Sequence, residues 1–270
     1  MTTLPDPLRS VADLLLQARL THRPADAGQS EGAVTTPAQA YEVQDAVAQE
    51  LGWFDGLTAS YWKSGGPSRN ATFTHAPLPP RGIWQSPAHT DWAWSMRGIE
   101  AEIALRLASS VDAGLAATLD QTNACRLVDA MTVSIEVVDS RWTQGMAAPA
   151  LLKLADLQIH GALILGPWVP FDTGHDWASQ RCEVAISNQP TQEFRGTHSL
   201  ADPAFLLPAW LKHATRGGRV LQAGSVVTTG TWCGILHAQA GDTVTVKFDG
   251  IGEARVTFAS LPAPAHRKPL

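Results

Sequence analysis

One stretch decides the fold, and it reads Ile99-Glu100-Ala101-Glu102-Ile103-Ala104-Leu105-Arg106-Leu107. Apolar residues occupy every second position and share one face of a β-strand, whereas Glu100 and Glu102 share the other face. Positions two apart along a strand lie about 6.5–7 Å from one another. Two flexible carboxylates at that spacing can converge on one cation, whose bonds to oxygen are about 2.0–2.6 Å long. The stretch predicts a strand with one buried face and a candidate cation site on the other.

A second alternating stretch reads Met131-Thr132-Val133-Ser134-Ile135-Glu136-Val137-Val138-Asp139. Its apolar residues again share one face, and Glu136 lies on the other. If the two strands are neighbours, three carboxylates meet; without a cation they would raise one another's pKa. An all-oxygen ligand set favours Mg²⁺ or Mn²⁺ over zinc. The alternation alone is also typical of the solvent-exposed face of an edge strand, so both interpretations stay open at this point.

The rest of the chain predicts helices at the N-terminus and mainly strands after it. Apolar residues recur at helical spacing over residues 8–20, and Thr36-Pro37-Ala38-Gln39 is typical of a capped helix start that Gly52 ends. Further helices are predicted at 119–130 and from Asp202, and a hairpin at 181–187 and 191–195. This order favours an α+β fold with an antiparallel or mixed sheet. We predict a helical N-terminal subdomain over residues 1–56 and a β-rich catalytic domain over residues 57–270.

Composition excludes several classes of function. The 270 residues carry a formal net charge of −5, which argues against a nucleic-acid partner because such proteins present a basic stripe. No apolar run reaches the ~18 residues of a membrane span, and the first residues lack a signal-peptide pattern, so we expect a soluble, cytoplasmic protein. Neither G-x-G-x-x-G nor G-x-x-x-x-G-K-[ST] is present, so dinucleotide and P-loop chemistry lack their motifs.

One hexapeptide carries a family resemblance: Glu136-Val137-Val138-Asp139-Ser140-Arg141. It resembles the E-[IV]-V-D-S-R motif of the 2-oxopent-4-enoate hydratase and 4-oxalocrotonate decarboxylase family, within the fumarylacetoacetate hydrolase superfamily. Further segments resemble that family in the same order along the chain, at residues 40–44, 61–65, 100–104, 163–166, 221–231 and 241–248. Together they make the match specific over residues 40–258.

The resemblance implies a fold and a chemistry. The expected core is a mixed β-sandwich or rolled sheet like that of fumarylacetoacetate hydrolase, with Glu100, Glu102 and Glu136 binding Mg²⁺ or Mn²⁺ at one open end. The metal would chelate the carboxylate and 2-oxo group of a small substrate and stabilise its enolate. The implied enzyme is a lyase of aromatic-compound catabolism that hydrates a 2-hydroxydienoate. The alternatives are a 2-oxo acid decarboxylase, an acylpyruvate C–C hydrolase, and a non-catalytic partner subunit. A homo-oligomer, associated with a pathway enzyme, is also expected.

Further residues match the family's functional positions. Lys63 is the candidate proton-transfer residue, with a pKa expected to be lowered by a metal and by burial; its alternative role is to neutralise the glutamates or hold the substrate carboxylate. Gly230 and Thr231 are candidate contacts of the substrate carboxylate, or else a tight turn. Asp139 and Arg141 are expected to form a structural ion pair.

Two departures separate this chain from the family pattern. Pro79-Pro80-Arg81-Gly82 stands where P-D-x-G is usual, so Pro80 replaces an acid. Leu157 stands where the A-D-N-x-S segment has asparagine. The nine histidines are dispersed and form no metal-binding motif, which predicts structural positions for them.

Overall fold

The two alternating stretches form long, adjacent central strands of the larger of two sheets. The computed structural model describes residues 4–260. Its α-helices are α1 Asp6–Thr21, α2 Pro37–Glu50, α3 Ala113–Thr118, α4 Gln121–Cys125, α5 Ala150–Ala155 and α6 Leu207–Ala214. Its strands are β1 Tyr61–Gly65, β2 Thr74–Pro77, β3 Ile83–Gln85, β4 Ala88–Thr90, β5 Gly98–Leu107, β6 Val128–Val138, β7 His160–Leu165, β8 Val169–Pro170, β9 Arg181–Ile186, β10 Gln192–Arg195, β11 Val226–Thr228, β12 Leu236–His237, β13 Thr243–Phe248 and β14 Gly252–Phe258.

The larger sheet has nine strands. Seven follow the order β2-β1-β11-β5-β6-β7-β3, β12 pairs with β5, and β8 pairs with β6. The pairs β1–β11 and β3–β7 are parallel, and β5–β6 and β6–β7 are antiparallel. The smaller sheet has the order β10-β9-β13-β14-β4. This is the α+β fold with a mixed sheet that the sequence predicts.

The main core lies between the two sheets. Its members include Ile103 and Ile135 from the larger sheet and Val246 and Phe258 from the smaller one, all buried. These residues sit on the faces that the alternation predicts to be apolar. The opposite face of β5 and β6, which carries the glutamates, is covered as well, because Ala104 belongs to a second buried cluster. The glutamates therefore do not lie on a solvent-exposed face.

The N-terminal helices pack on a core of their own. Leu8, Val11 and Val43 from α1 and α2 meet Trp142 and Leu152 there. Thr36 and Gln39 form the predicted capping box at the start of α2. The helical core thus draws residues from both sides of the predicted boundary at residue 56, and the division into 1–56 and 57–270 stays a prediction. Its ends, residues 1–3 and 261–270, lie outside the described residues.

One predicted helix is mostly absent. The helix expected over residues 119–130 is limited to α4, Gln121–Cys125, and Ala130 lies in strand β6. Ala130 pairs with Arg106 of β5 and with Pro170 of β8. Backbone pairing on both sides outweighs the local helical periodicity here. The predicted hairpin is confirmed by the antiparallel pair β9–β10.

Within residues 4–260, no helix combines the length and the apolar character that crossing a membrane requires.

Candidate metal centre

The register of β5 and β6 brings three carboxylates together. Glu100 is the direct cross-strand partner of Glu136, and Glu102 is the partner of Ser134. Each of the three glutamates offers one carboxylate oxygen atom, and these atoms lie within 4.8 Å of one another. Glu102 is 2% exposed and Glu136 0%, whereas Glu100 is half-buried. We call Glu100, Glu102, Glu136 and the neighbouring Lys63 the carboxylate site.

Glu136 is bonded on one oxygen only. Its Oε1 accepts from Lys63 Nζ at 2.5 Å and from His160 Nδ1 at 3.0 Å. Its Oε2 is buried and has no hydrogen-bond partner among the described residues. A buried carboxylate oxygen without a donor is costly, and a bound cation would satisfy it. This arrangement fits a metal ligand.

Glu102 is held from the neighbouring strand. The hydroxyl of Thr228 donates to Glu102 Oε2 and lies 3.1 Å from the hydroxyl of Ser134. The backbone N–H of Gly230 also donates to Glu102. Two donors from one short segment therefore fix this side chain on the sheet face that Glu136 shares.

Lys63 reaches the site from β1, which is separated from β5 by β11. Its Nζ also donates to the carbonyl oxygen of Gln158 at 3.4 Å, and its side chain is 13% exposed. Burial lowers the pKa of Lys63, but the charges of Glu136, Glu100 and Glu102 outweigh burial and raise it. In the chain without a metal, three carboxylates surround one ammonium group and raise its pKa; the lowered pKa predicted from sequence refers to the metal-bound site and stays a prediction.

The pKa values of the three glutamates differ, because burial and neighbouring charges act on each of them differently. Burial, and then the charge of Glu136, raise the pKa of Glu102 to about 7 and that of Glu100 well above its usual value. Burial also raises the pKa of Glu136, but Lys63 and His160 outweigh burial and lower it. The site therefore holds more negative charge than its own groups neutralise. Three hard oxygen ligands with excess negative charge fit Mg²⁺ or Mn²⁺.

Gly230 and Thr231 lie beside the carboxylate site. Gly230 has φ +108, and Trp232 N–H donates to the carbonyl of Ala101 at 2.8 Å. The Thr231 hydroxyl donates to the Gly234 carbonyl at 2.9 Å and accepts from Cys233 N–H at 3.2 Å. Thr231 thus uses its hydroxyl within its own turn, whereas Gly230 contacts a site carboxylate directly.

His160 was not identified from the sequence as part of the carboxylate site. It is 1% exposed, and Nδ1 must donate to Glu136 because a carboxylate only accepts. Burial lowers the pKa of His160, so its free Nε2, which has no partner among the described residues, carries a lone pair. The sequence contains one indication of this role: a histidine begins the apolar run His160-Gly161-Ala162-Leu163-Ile164-Leu165. A polar side chain buried with such a run requires a hydrogen-bond partner.

The segment before His160 has an unusual backbone. Leu157, Gln158 and Ile159 have φ values of +53, +54 and +56. Consecutive left-handed residues other than glycine are rare, since each costs roughly 1–2 kcal/mol. The turn presents the Gln158 carbonyl to Lys63 Nζ, and the Gln158 side chain donates to the Thr74 hydroxyl. This strained turn therefore borders the carboxylate site.

A second buried charge cluster lies close by along the chain. Arg141 donates from Nε at 2.5 Å and from its backbone N–H at 2.9 Å to Asp156, and Arg19 Nη2 donates at 3.0 Å to the same side chain. The expected Asp139–Arg141 contact is present at 4.0 Å, but Asp139 bonds more closely to the Ser95 hydroxyl at 2.7 Å. We call Arg19, Asp139, Arg141 and Asp156 the arginine cluster. The two residues that depart from the family pattern lie in different environments: Pro80 is exposed and Leu157 is buried.

The family model described as fumarylacetoacetate (FAA) hydrolase C-terminal matches residues 78–259. The fold is similar to that of 4-oxalocrotonate decarboxylase from Pseudomonas putida G7. Its complex with magnesium and adipate has a TM-score of 0.80 at 18% identity, and its complex with calcium and acetate 0.78 at 19%. Each match covers 95% of this chain and 99% of the other.

A partial match comes from 5-carboxymethyl-2-hydroxymuconate delta-isomerase of Mycobacterium smegmatis. Its TM-score is 0.55 at 19% identity, over 77% of this chain and 81% of the other. At identities this low, the matches show that the folds are similar and no more.

Proposed function

The chain belongs to the fumarylacetoacetate hydrolase family of enzymes, and from that premise we propose a divalent-metal-dependent lyase that acts on small unsaturated 2-oxo acids. The observation that carries the proposal is the buried carboxylate site, in which Glu136 Oε2 lacks a donor. Glu100, Glu102 and Glu136 would hold Mg²⁺ or Mn²⁺. When bound, the cation supplies Lewis-acid stabilisation of negative charge developing on the substrate's oxygen atoms.

The side chains around the cation have separable roles in this proposal. His160 and Lys63 donate to Glu136 Oε1 and thereby leave Oε2 facing the cation. Such supporting donors fix the orientation of a metal ligand. Thr228 does the same for Glu102. His160 and Thr228 are positioning residues, because they act through the carboxylates.

Lys63 is the proposed catalytic residue. Lys63 Nζ lies next to Glu136; in its ammonium form it would give a proton to a substrate carbon, and in its amine form it would remove one. The donor is partly accessible, since its side chain is 13% exposed. We place the substrate carboxylate next to Gly230 and Thr231, where Thr231 would exchange a bond of its own turn for a substrate contact.

Two reactions are candidates: hydration of a 2-hydroxydienoate, which leads in the prediction from sequence, and decarboxylation of a 2-oxo acid. Decarboxylation requires enolate stabilisation and a proton donor, whereas hydration also requires a group that directs water. Pro80, which replaces the family's acid, cannot supply that group, and this favours decarboxylation. The structural match over 95% of the chain is to a decarboxylase, which supports the same candidate.

The test is turnover of two substrates by purified protein with Mg²⁺, Mn²⁺ or EDTA. Loss of dienol absorbance from 2-hydroxypenta-2,4-dienoate without CO₂ release identifies a hydratase. Release of one CO₂ per molecule of 4-oxalocrotonate identifies a decarboxylase. Failure of the protein both to bind Mg²⁺ or Mn²⁺ and to turn over either acid would contradict the proposal. A tight complex with a related enzyme in that case would identify a partner subunit.

A further inference from the structure

A cavity of about 490 Å³ lies between the N-terminal helices and one end of the larger sheet, and none of the three glutamates lines it. Arg19 from α1, the segment Trp92-Ala93-Trp94, and Asp139 at the end of β6 contribute to its walls. Small-molecule sites commonly enclose about 300–1,000 Å³ and favour the junction of two packed units. Both the size and the position suit a small ligand.

The cavity has flat aromatic walls. Trp53, Trp92 and Trp94 line it, and each is half-buried. The rings of Trp92 and Trp94 have centroids 5.8 Å apart and are inclined at 33°, so they do not satisfy one another by stacking face to face. The Arg19 guanidinium lies over Trp53, 5.0 Å from the ring centroid. Indole rings that line a cavity favour flat, conjugated ligands, because aromatic rings gain energy from offset-stacked or edge-to-face contacts.

The polar groups of the cavity are mainly unpaired donors. Arg19 Nε and Trp94 Nε1 are buried and have no hydrogen-bond partner among residues 4–260. Both groups are donors only, so only an acceptor can satisfy them. Arg81 also lines the cavity; its guanidinium is exposed and forms no side-chain hydrogen bond or ion pair within the described chain.

The other charged groups of the cavity do not reverse this preference. Asp139 accepts from the Ser95 hydroxyl and the Met96 N–H, and Arg141 is paired with Asp156. Asp91 is the opposing charge, an exposed carboxylate at the rim, and His22 is exposed as well. The cavity therefore has two buried donors without a partner among the described residues, Arg19 Nε and Trp94 Nε1, and a third donor in Arg81. This excess of donors indicates a ligand with acceptor oxygens, such as a carboxylate.

We propose that this cavity is a second binding site, for a flat monocarboxylate such as an aromatic acid. The conjugated ring would lie against Trp92 and Trp94, and the carboxylate would accept from Arg19, Arg81 and Trp94. This site is independent of the carboxylate site, because binding requires neither a metal nor the glutamates.

The test uses benzoate as the probe and the full-length protein in EDTA. Titration calorimetry should show saturable binding of one benzoate, which persists in Glu102→Gln. Arg81→Gln and Trp94→Phe should each weaken binding about tenfold, the size expected for a lost hydrogen bond to a charged group. Arg126→Gln and Trp168→Phe are matched controls outside the cavity and should bind like the wild type.

Several results would overturn the assignment. Binding that needs Mg²⁺ and disappears in Glu102→Gln would locate benzoate at the carboxylate site instead. Equal affinity for benzyl alcohol, or for benzylamine, would show that the donors do not select a carboxylate. If Trp94→Phe fails to fold, Arg81→Gln decides alone, since Arg81 lies at the surface, and unchanged affinity in that variant would refute the proposal.

Discussion

The carboxylate site and the arginine cluster are both buried and charged, yet only one of them is electrically complete. The arginine cluster pairs two guanidinium groups with two carboxylates, and its central Asp156, which is 0% exposed, accepts from both arginines. The carboxylate site sets one ammonium against three carboxylates and leaves Glu136 Oε2 without a donor. The charges of the arginine cluster balance within the chain, whereas the carboxylate site requires a positive charge from outside.

This difference separates a structural site from a functional one. Buried charges normally occur in compensated sets, because an unpaired buried charge destabilises the fold by several kcal/mol. The pairing of Asp156 with two arginines therefore stabilises the fold and requires no bound cation. The excess charge of the carboxylate site has no such explanation without a cation. Substitutions in the two clusters should consequently affect different measured quantities.

The largest effect is expected from removing a proposed metal ligand. Glu102→Gln or Glu136→Gln should lower metal-dependent turnover at least about a thousandfold, because metal stabilisation of the reaction contributes several kcal/mol. Thermal unfolding should show a retained fold. Turnover and Mg²⁺ titration are the measurements, with Glu183→Gln on β9 as the matched control. Full activity in both variants would remove the proposed difference between the clusters.

Breaking the arginine cluster should instead lower stability. Asp156→Asn leaves Arg19 and Arg141 without their shared carboxylate, and loss of one partner of a buried pair costs about 3–5 kcal/mol. The unfolding temperature should fall by roughly 10 °C, since 1 kcal/mol corresponds to about 2–4 °C at this size. The control is Asp129→Asn, which breaks the exposed pair with Arg106 and should cost at most about 1 kcal/mol. Equal losses in the two variants would contradict the expected role of burial.

A smaller effect is expected when the support of Glu136 is removed. His160→Leu should weaken Mg²⁺ binding about 10–100-fold, as for other groups that orient a metal ligand. His160→Asn should restore much of the affinity, because its amide can donate near the position of Nδ1. His175→Asn, in a half-buried histidine outside the site, should change nothing. Wild-type affinity in the leucine variant would show that Lys63 alone positions Glu136.

The smallest effect concerns pH. The pKa of Glu102 in the folded chain, about 7, exceeds its usual 4.5, and that of Glu100 is also raised. Between those values the folded chain holds protons that the unfolded chain has lost, so this stability is present below pH 4.5 and is lost as pH rises through 7. The lowered pKa of Glu136 acts in the opposite direction, but only below pH 4.5.

The buried histidines His75, His160, His198 and His213 have lowered pKa values and gain stability over the same pH range. The effect of the glutamates is therefore measured against Glu102→Gln: between pH 5 and pH 8 in EDTA, the unfolding temperature of the wild type should fall by a few degrees relative to that of the variant, at about 2–4 °C for each kcal/mol. Saturating Mg²⁺ requires the charged carboxylates and should abolish or reverse this difference between the wild type and the variant. The same pH dependence in the wild type and in Glu102→Gln would be evidence that the glutamates are not mutually repelling.

The sequence predicts the parts of this molecule that depend on local patterns. Strict alternation predicts β5 and β6, with Glu100, Glu102 and Glu136 on one face, and Thr36 with Gln39 predicts the start of α2. Alternation within one strand cannot predict which side chains from other strands lie next to the glutamates in the folded sheet. His160 and Thr228 reach the glutamates from other strands, so no spacing in the chain relates them.

Prediction from sequence also fails where two physical effects oppose each other. The direction of the Lys63 pKa depends on three carboxylates against burial, and helical periodicity near Ala130 gives way to pairing with β5 and β8. The left-handed turn at residues 157–159 contains no glycine or asparagine, the residues that ordinarily predict such a conformation. Tertiary contacts impose it.

That turn also limits how the chain can change in length. Asp156 is anchored by two arginines at one end of the turn, and His160 is anchored by Glu136 at the other. Only three residues connect these fixed points, so an inserted or deleted residue would displace one anchor or the other. Surface loops usually accept such changes. Relatives that share both anchors should therefore keep the same number of residues between them, whichever side chains occupy the turn.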